Sequence, residues 1–324
     1  MLYFRFPFGE DIFTVEEEVK GTGVSFYPFD QSDVLSFKGK LSKVTDSVLS
    51  NLNLATDSLS PIKDFQAETK AEYLKIIEQA ISFIKENQLS KLVISRRKLI
   101  EFENQSIDLK ETFTQLCKAY PNAFVYVFSS QGKCWVGAFS ELLGKYDKKT
   151  SHFETMSLAG TLPIEESWGP KEIEEQKPVT DFILQVLQKY SENVKQSETY
   201  DHISGNIKHL RNDFSALIKA EQLDHIISEL HPTPAVCGIP TDFCRTAIGN
   251  FELHPRNYYS GYIKVEDADS VHYFVNLRCA ELFQNAALLY VGGGITSESS
   301  PEKEWRETEL KAQAIGRNLV FISD

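Results

Sequence analysis

Two glutamate pairs sit at helical spacing in distant parts of the chain: Glu172 and Glu175 in KEIEEQ, and Glu304 and Glu307 in EKEWRETELK. Residues three apart share a helix face, so each pair aims two carboxylates in one direction. Lys311 follows Glu307 by four, and Ile315 continues that face. Such stripes are common on solvated helices. Glu175 is harder to place on a surface. At 100° per residue it falls on the apolar stripe of Val179, Phe182 and Val186. A carboxylate there is costly unless something compensates it. An arginine would do so, and so would a hard cation such as Mg2+, which takes one or two carboxylates and fills its shell with water and substrate oxygens.

Other single residues admit a chemical and a plain reading. Lys91 opens the strand-like KLVISRRKLIEF; it is a solvated strand end or, if buried, an amine able to serve as a base. Glu141 in GAFSELL is an exposed charge or a carboxyl kept protonated by apolar neighbours, hence an acid. Arg278 in VNLRCA is half of an ion pair or a bidentate clamp for a carboxylate. His209 and His231 read as structural or exposed. Gly292, Gly293 and Gly294 stand between the final strand and the last helix, where a tight turn with positive φ is expected. Amides at such a turn can hold an anion. The stretch lacks both the lysine of a phosphate loop and the GxGxxG spacing.

The elements that must position these groups follow from periodicity. Residues 1–40 alternate aromatic and polar side chains as short strands do, and the polar residues 43–66 read as a connector. Apolar spacing near 3.6 predicts a helix over 67–88, and another follows over 108–119. AFVYVFS, KCWVGAFSELLGKY and HFETMSLAGTL form an antiparallel run. GPKEIEEQKPVTDFILQVLQKY predicts a helix with Pro170 in its first turn and a kink or restart at Pro178. A shorter helix is expected near 211–230, then LHPTPAVCGIP as a loop, PTDFCRTAIGNFE as a helix, and the strands YYSGYIKV, HYFVNLRCAELF and AALLYVGGG. Strands in consecutive runs with helices between them predict an α+β fold. We read residues 1–324 as a single domain, in which 1–66 is a short divergent portion completing the sheet and 67–324 is the core.

Bulk composition narrows the partners. The chain has 324 residues, 42% hydrophobic and 25% charged, within the range of soluble globular proteins. No apolar run approaches the length of a membrane span. MLYFRFPFGEDIF lacks the basic-then-apolar pattern of a secretory leader. Five cysteines without a CxxC pair predict reduced thiols in a cytoplasm and no zinc site. The net charge of -12 disfavours nucleic acid. An anionic small substrate stays open, provided a metal or local cations reverse the field.

From Lys91 to Ile315 the segments KLVISR, GAFSELL, SLAGT, KEIEEQ, LHPTPAVCGIP, ELHPRNYYSG, VNLRCA and YVGGGITSESSPEKEWRETELK occur in order. Together they resemble the chorismate-utilising enzymes: the anthranilate, aminodeoxychorismate, isochorismate and salicylate synthases. The resemblance implies mostly antiparallel sheets packed as a sandwich and flanked by helices, chorismate as substrate, Mg2+ and a monomer. It implies that the two ExxE helices face each other, with Glu175 and Glu307 as direct or water-bridged metal ligands and Glu172 and Glu304 beside them. Lys311, Arg278 and Tyr259 match positions holding substrate carboxylates, and the three glycines present amides to the same groups. Ala159, Gly160, Thr161, His209 and Ala235 match other substrate-side positions.

Within that family, anthranilate synthases carry Gln where this chain has Lys91. Aminodeoxychorismate synthases carry a nucleophilic Lys where it has Ala159. Water is left as the nucleophile, and Ala235 in LHPTPAV resembles isochorismate synthases more than salicylate synthases. The implied chemistry has Lys91 take a proton from water attacking C2 while Glu141 donates to the hydroxyl leaving C4, feeding menaquinone or catechol siderophore synthesis. A salicylate synthase and a catalytically silent chorismate-binding homologue are the alternatives. Departures from the pattern are Gln176, where relatives carry His, Pro178 in the first acidic helix, and Cys237, where relatives have a smaller residue.

Overall fold

Segments apolar at nearly every position, such as AFVYVFS and AALLYV, suit strands covered on both faces, and such strands form the middle of the molecule. The structure is a computed structural model describing residues 1–18, 22–45, 59–63, 65–102, 105–205 and 207–322. Its strands are β1 (Leu2–Arg5), β2 (Ile12–Glu17), β3 (Gly23–Tyr27), β4 (Leu35–Lys43), β5 (Lys91–Glu101), β6 (Phe124–Ser130), β7 (Lys133–Phe139), β8 (Leu142–Asp147) and β9 (His152–Pro163). They continue with β10 (Lys195–Gln196), β11 (Tyr200–Ser204), β12 (Ile207–Leu217), β13 (Gly238–Ile239), β14 (Tyr262–Glu266), β15 (Ser270–Val275), β16 (Cys279–Leu282) and β17 (Ala286–Ile295). The helices are α1 (Lys70–Glu86), α2 (Leu109–Ala119), α3 (Pro170–Gln188), α4 (Leu223–Leu230), α5 (Thr241–Phe251) and α6 (Pro301–Gly316).

The strands pair antiparallel in two sheets. The first runs β4-β2-β1-β6-β7-β16-β17-β5-β13. The second runs β11-β12-β9-β8-β15-β14-β3-β4, with β10 also on β12. Strand β4 serves both sheets. Leu35–Lys38 pair with β3 and Gly39–Lys43 with β2. The crossover falls at Gly39, at φ 149°, where a Cβ would lie 1.9 Å from the Glu16 carbonyl oxygen; only glycine fits there. Through β1 on β6 and β3 on β14, the first 43 residues add strands to both sheets.

Between the sheets lies an aromatic core that includes Phe4, Phe26, Phe124, Tyr126, Phe128 and Trp135. Phe124 stacks on Phe274 at 4.5 Å and Phe26 meets Phe128 edge-on at 4.7 Å, geometries that add attraction beyond burial. Helices α2 and α6 cover the outer face of the first sheet, where Phe113, Leu116 and Ile315 pack with Val127 and Leu289. Helices α3 and α4 cover the second, where Val179, Ile183 and Leu230 pack with Phe153 and Phe214. Helices α1 and α5 close one end beside β5. The result is an α+β sandwich of two sheets between helices, and no described helix is long and apolar enough to cross a membrane.

Three expectations are corrected. The segment expected as a helix over 211–230 is strand β12 as far as Leu217, with helix only over Leu223–Leu230. IKHLRNDFSAL alternates buried and outer positions, and ten residues of register with β9 hold it extended. Pro178 does not restart its helix, since α3 runs unbroken from Pro170 to Gln188. The carbonyl it leaves without an N–H partner belongs to Glu174, an exposed residue, so water can take that bond. Gly292–Gly294 form no turn; they lie within β17. The connector expected over 43–66 falls largely outside the described residues.

Candidate active site

The triple glycine sets the geometry. Gly292, Gly293 and Gly294 pair with Ser95, Ile94 and Val93 of β5, and none has positive φ. Glycine is required for room rather than for a turn. A Cβ on Gly294 would lie 2.3 Å from Lys91 Cε and 2.4 Å from Glu175 Oε1, and one on Gly292 would lie 2.9 Å from the Tyr259 hydroxyl. On the other face, a Cβ on Gly293 would lie 3.0 Å from Glu304 Oε2 and 3.6 Å from Glu307 Oε1. Successive strand residues point to opposite faces, so three glycines admit groups from both sides. The Gly292 carbonyl accepts a bond from Lys311 Nζ at 2.9 Å. Antiparallel alternation turns the N–H of a residue the same way as its carbonyl. The Gly292 amide therefore also faces the edge left open where pairing with β16 stops at Tyr290.

These strands wall a partly enclosed cavity in which several polar and charged side chains converge. Lys91, Glu141, Ala159, Gly160, Thr161 and Glu175 line it, as do His209, Ala235, Tyr259, Arg278, Lys311 and the three glycines. Lys91 is 2% exposed, and its Nζ donates to Glu175 Oε1 at 2.8 Å. One partner of Glu175 on the apolar stripe is therefore the lysine that opens β5. Glu141 is 4% exposed and accepts from Thr233 Oγ1 at 3.4 Å. Burial pushes its pKa up to about 7, against the pull of Lys91, the Thr233 bond, Lys311 and Arg278. A carboxyl titrating there keeps much of its proton at neutral pH, the state a general acid needs. Lys91, Arg278 and Lys311 outnumber Glu141 and Glu175 within the walls, so the local field leans positive inside an acidic protein.

Arg278 occupies the corner between β15 and β16 at φ 43°, an unusual conformation for a side-chain-bearing residue. Its guanidinium donates to Ser204 Oγ and, at 2.8 Å, to His209 Nε2. Arginine only donates, so Nε2 is an acceptor and the imidazole proton sits on Nδ1, donated to the Gly160 carbonyl at 2.9 Å. Burial, reinforced by Arg278 and Lys311, holds His209 well below the usual histidine range and hence neutral. Among the described residues no carboxylate lies within ion-pair distance of Arg278. A neutral imidazole thus orients a cation that stays available to an anionic ligand. Gly160, at φ 72°, keeps the backbone close to the start of α3, where a Cβ would be 3.2 Å from the Glu172 carbonyl oxygen.

Glu172, Glu304 and Glu307 border an adjoining groove, and Thr161 lines both it and the cavity. Ser299 Oγ donates to Glu304 at 2.7 Å, Lys311 to Glu307 at 2.7 Å, and the Gly169 amide to Glu172 at 3.0 Å. The carboxylates of the two helices thus converge on the glycine strand from both faces. Among the described residues, no three His, Cys, Asp or Glu side chains are assembled as a metal cluster. Glu175, Glu304, Glu307 and Glu172 are nonetheless hard oxygen donors of the kind Mg2+ takes, and the absent Cβ of Gly293 leaves room beside Glu304 and Glu307. The donor set fits such an ion.

Sequence reasoning missed several residues here. Thr233, three residues from the start of LHPTPAV, bonds the acid directly. Ser140 was passed over although it adjoins Glu141 and lines the cavity, and His202, bonded to it, lies in a polar stretch without apolar signal. Gln176 sits in a buried amide–hydroxyl network, donating to Thr180 Oγ1 at 2.6 Å and Asn212 Oδ1 at 2.5 Å. It anchors α3 to the second sheet.

Comparison with known proteins agrees with this geometry. The family profile described as chorismate binding enzyme matches residues 30–320. The chain is 29% identical to the isochorismate synthase DhbC of Bacillus subtilis over 278 residues, 76% of this chain and 67% of that one. It is 26% identical to the isochorismate synthase MenF of the same organism over 257 residues, 75% of this chain and 54% of that one. The chain therefore spans about half to two thirds of the length of these relatives. The solved structure of DhbC from Bacillus anthracis, described as a 2,3-dihydroxybenzoate-specific isochorismate synthase, superposes with a TM-score of 0.80 at 22% identity. It covers 98% of this chain and 95% of that one, a likeness of fold.

Proposed function

The chain belongs to the chorismate-binding enzymes, and from that premise we propose that it is an isochorismate synthase. The observation that carries the proposal is a buried lysine and a buried carboxyl of raised pKa lining one cavity with Arg278, which has no carboxylate within ion-pair distance among the described residues. Relatives named isochorismate synthase support it. In this reading Arg278, Lys311 and Tyr259 hold the carboxylates of chorismate, with the Gly292 amide on the open edge beside them. Lys91, as the free amine, takes a proton from the water whose oxygen bonds to C2. Both ring double bonds shift by one position, and the C4–O bond breaks as Glu141 delivers its proton to the departing hydroxyl. One water enters and one leaves, so the reaction is a net isomerisation. Opposite proton demands on two groups in one low-dielectric cavity are the pattern of paired acid–base catalysis.

Glu175, Glu304, Glu307 and Glu172 would hold Mg2+, whose contribution when bound is to orient the ring carboxylate and offset its charge. The product would supply either a menaquinone or a catechol siderophore route. The test is an incubation with chorismate and Mg2+ in which products are separated and identified by mass. Isochorismate is expected; its absence sinks the proposal, and pyruvate with salicylate instead would mark a salicylate synthase.

A further inference from the structure

Ser140, in the junction between β7 and β8, adjoins the acid Glu141, is 8% exposed and lines the cavity. Its Oγ lies 2.9 Å from His202 Nε2, and Arg211 Nη1 reaches the other ring nitrogen, Nδ1, at 3.3 Å. Arg211 is itself held by Asp213 Oδ1, at 2.9 Å from Nε and 2.6 Å from Nη2. A serine beside a histidine invites a nucleophilic reading, and the third partner excludes it. A guanidinium offers only donors, so Nδ1 must accept and the neutral ring carries its proton on Nε2. That proton already points at Ser140, so the imidazole cannot take the serine's proton. The hydroxyl accepts from His202 and must aim its own O–H elsewhere. Burial, with Arg211 and Arg278 nearby, lowers the His202 pKa to about 4, which keeps this tautomer in place at neutral pH.

We propose that Ser140 is a substrate-contacting residue whose O–H, oriented by the Nε2–H of His202, donates a hydrogen bond to the hydroxyl oxygen that departs beside Glu141. Glu141 transfers the proton, and Ser140 shares the charge growing on the leaving oxygen. His202, backed by Arg211 and Asp213, is a positioning residue that acts through Ser140. His209 offers the converse arrangement in the same cavity, with its proton on Nδ1 and Nε2 accepting from Arg278. One histidine fixes a cation and the other fixes a donor.

This inference rests on the isochorismate synthase reading and is tested beside it. Initial rates with chorismate are measured for the wild type, Ser140→Ala, His202→Ala, His202→Gln and the Ser140→Ala/His202→Ala pair. Melting curves report folding for each. Ser140→Ala is expected to lower kcat about 10- to 100-fold, the effect of one donor to a developing charge, with little change in KM. His202→Ala should fall by a similar factor, the double variant no further than Ser140→Ala, and His202→Gln, which retains an N–H donor, should recover part of the rate. Wild-type kcat in Ser140→Ala, or losses that multiply in the double variant, would overturn the inference while leaving the activity established. A wild-type protein that binds chorismate and forms no isochorismate would remove the reading and the inference together.

Discussion

Helices α3 and α6 carry the same ExxE spacing and prepare their carboxylates differently. Helix α6 is held from behind. Arg96, 2% exposed, lays its guanidinium 3.8 Å from the centre of the Trp305 ring and donates to Thr308 Oγ1 at 2.9 Å and to Glu309. Those contacts fix the rotation of α6, so Glu304 and Glu307 meet Gly293 without rearrangement. Helix α3 is anchored through Gln176, while its acids are engaged elsewhere. Glu172 turns back to cap Gly169, and Glu175 is tied to Lys91. Both pairs carry bonds, but those on Glu304 and Glu307 come from Ser299 and Lys311 beside them in the chain, whereas Glu175 is tied to the lysine of β5. Equal spacing in sequence thus gives one arm set by its own segment and one that must be released from Lys91. Metal loading and the freeing of Lys91 would share a single event on α3.

The largest expected effect strikes that shared point. Lys91→Ala should lower turnover by about 10²- to 10⁴-fold, the span of a lost general base. It also leaves Glu175 buried without its amine, and breaking a buried pair costs about 3–5 kcal/mol. Lys91→Gln, which keeps a donor toward Glu175, separates the two causes. A folded Lys91→Gln protein that still forms isochorismate within tenfold of the wild-type rate would break the assignment of the base.

Glu141 gives the next effect, through pH. Its folded pKa of about 7 lies above the 4.5 of an exposed glutamate, so the acid form is the one that burial favours. The sign follows. Between pH 4.5 and 7 the unfolded chain releases a proton that the folded chain keeps, so this group's contribution to stability is full below 4.5 and is lost as pH rises through 7. Catalysis that uses the same proton should decline on the alkaline side of about 7. Glu141→Gln should lose most turnover and flatten that part of the stability profile. A stability profile in Glu141→Gln identical to the wild type would show that the carboxyl is not held protonated.

The two arms can be compared directly by metal dependence. Glu307→Gln, on the set arm, should raise the half-saturating Mg2+ concentration by about 10- to 100-fold. Glu172→Gln should raise it only a few-fold, since Glu172 turns one oxygen back to its own helix cap, whereas Glu307, even with Lys311 on it, approaches Gly293 beside Glu304. Mg2+ titrations followed by calorimetry as well as by rate would check the order. Equal shifts in the two variants would erase the distinction drawn between the helices.

Much of this was legible in the sequence because the relevant signals are local. Glu175 stood out on an apolar stripe, and Lys91 and Glu141 stood at strand ends with apolar neighbours. The β12 segment was misread because its strand conformation comes from a distant partner, β9. The glycines were misread for a related reason. Their requirement is space for Lys91, Glu175, Tyr259 and Glu304, which arrive from four other segments, so spacing alone offered only a turn. His202 and Ser140 were invisible because a tautomer is set by three residues that meet only in the fold.

Pro178 is the remaining irregularity in α3, and replacing it is the mildest way to sharpen the comparison. Alanine would restore the N–H that Glu174 lacks within the helix. Proline in a regular helix interior costs about 3 kcal/mol against alanine. Here the deprived carbonyl belongs to an exposed residue, so the gain should be near that of one hydrogen bond, about 1 kcal/mol, or roughly 2 °C in Tm for a chain of this size. Turnover and Mg2+ dependence should stay at wild-type values, because the bonds that occupy Glu172 and Glu175 are untouched. A Pro178→Ala protein that melts higher and yet needs more Mg2+ would move the cause of the difference from those two side-chain bonds to the backbone of α3 itself. The released arm would then owe its freedom to a helix that is one hydrogen bond short, three residues beyond the glutamate that must move.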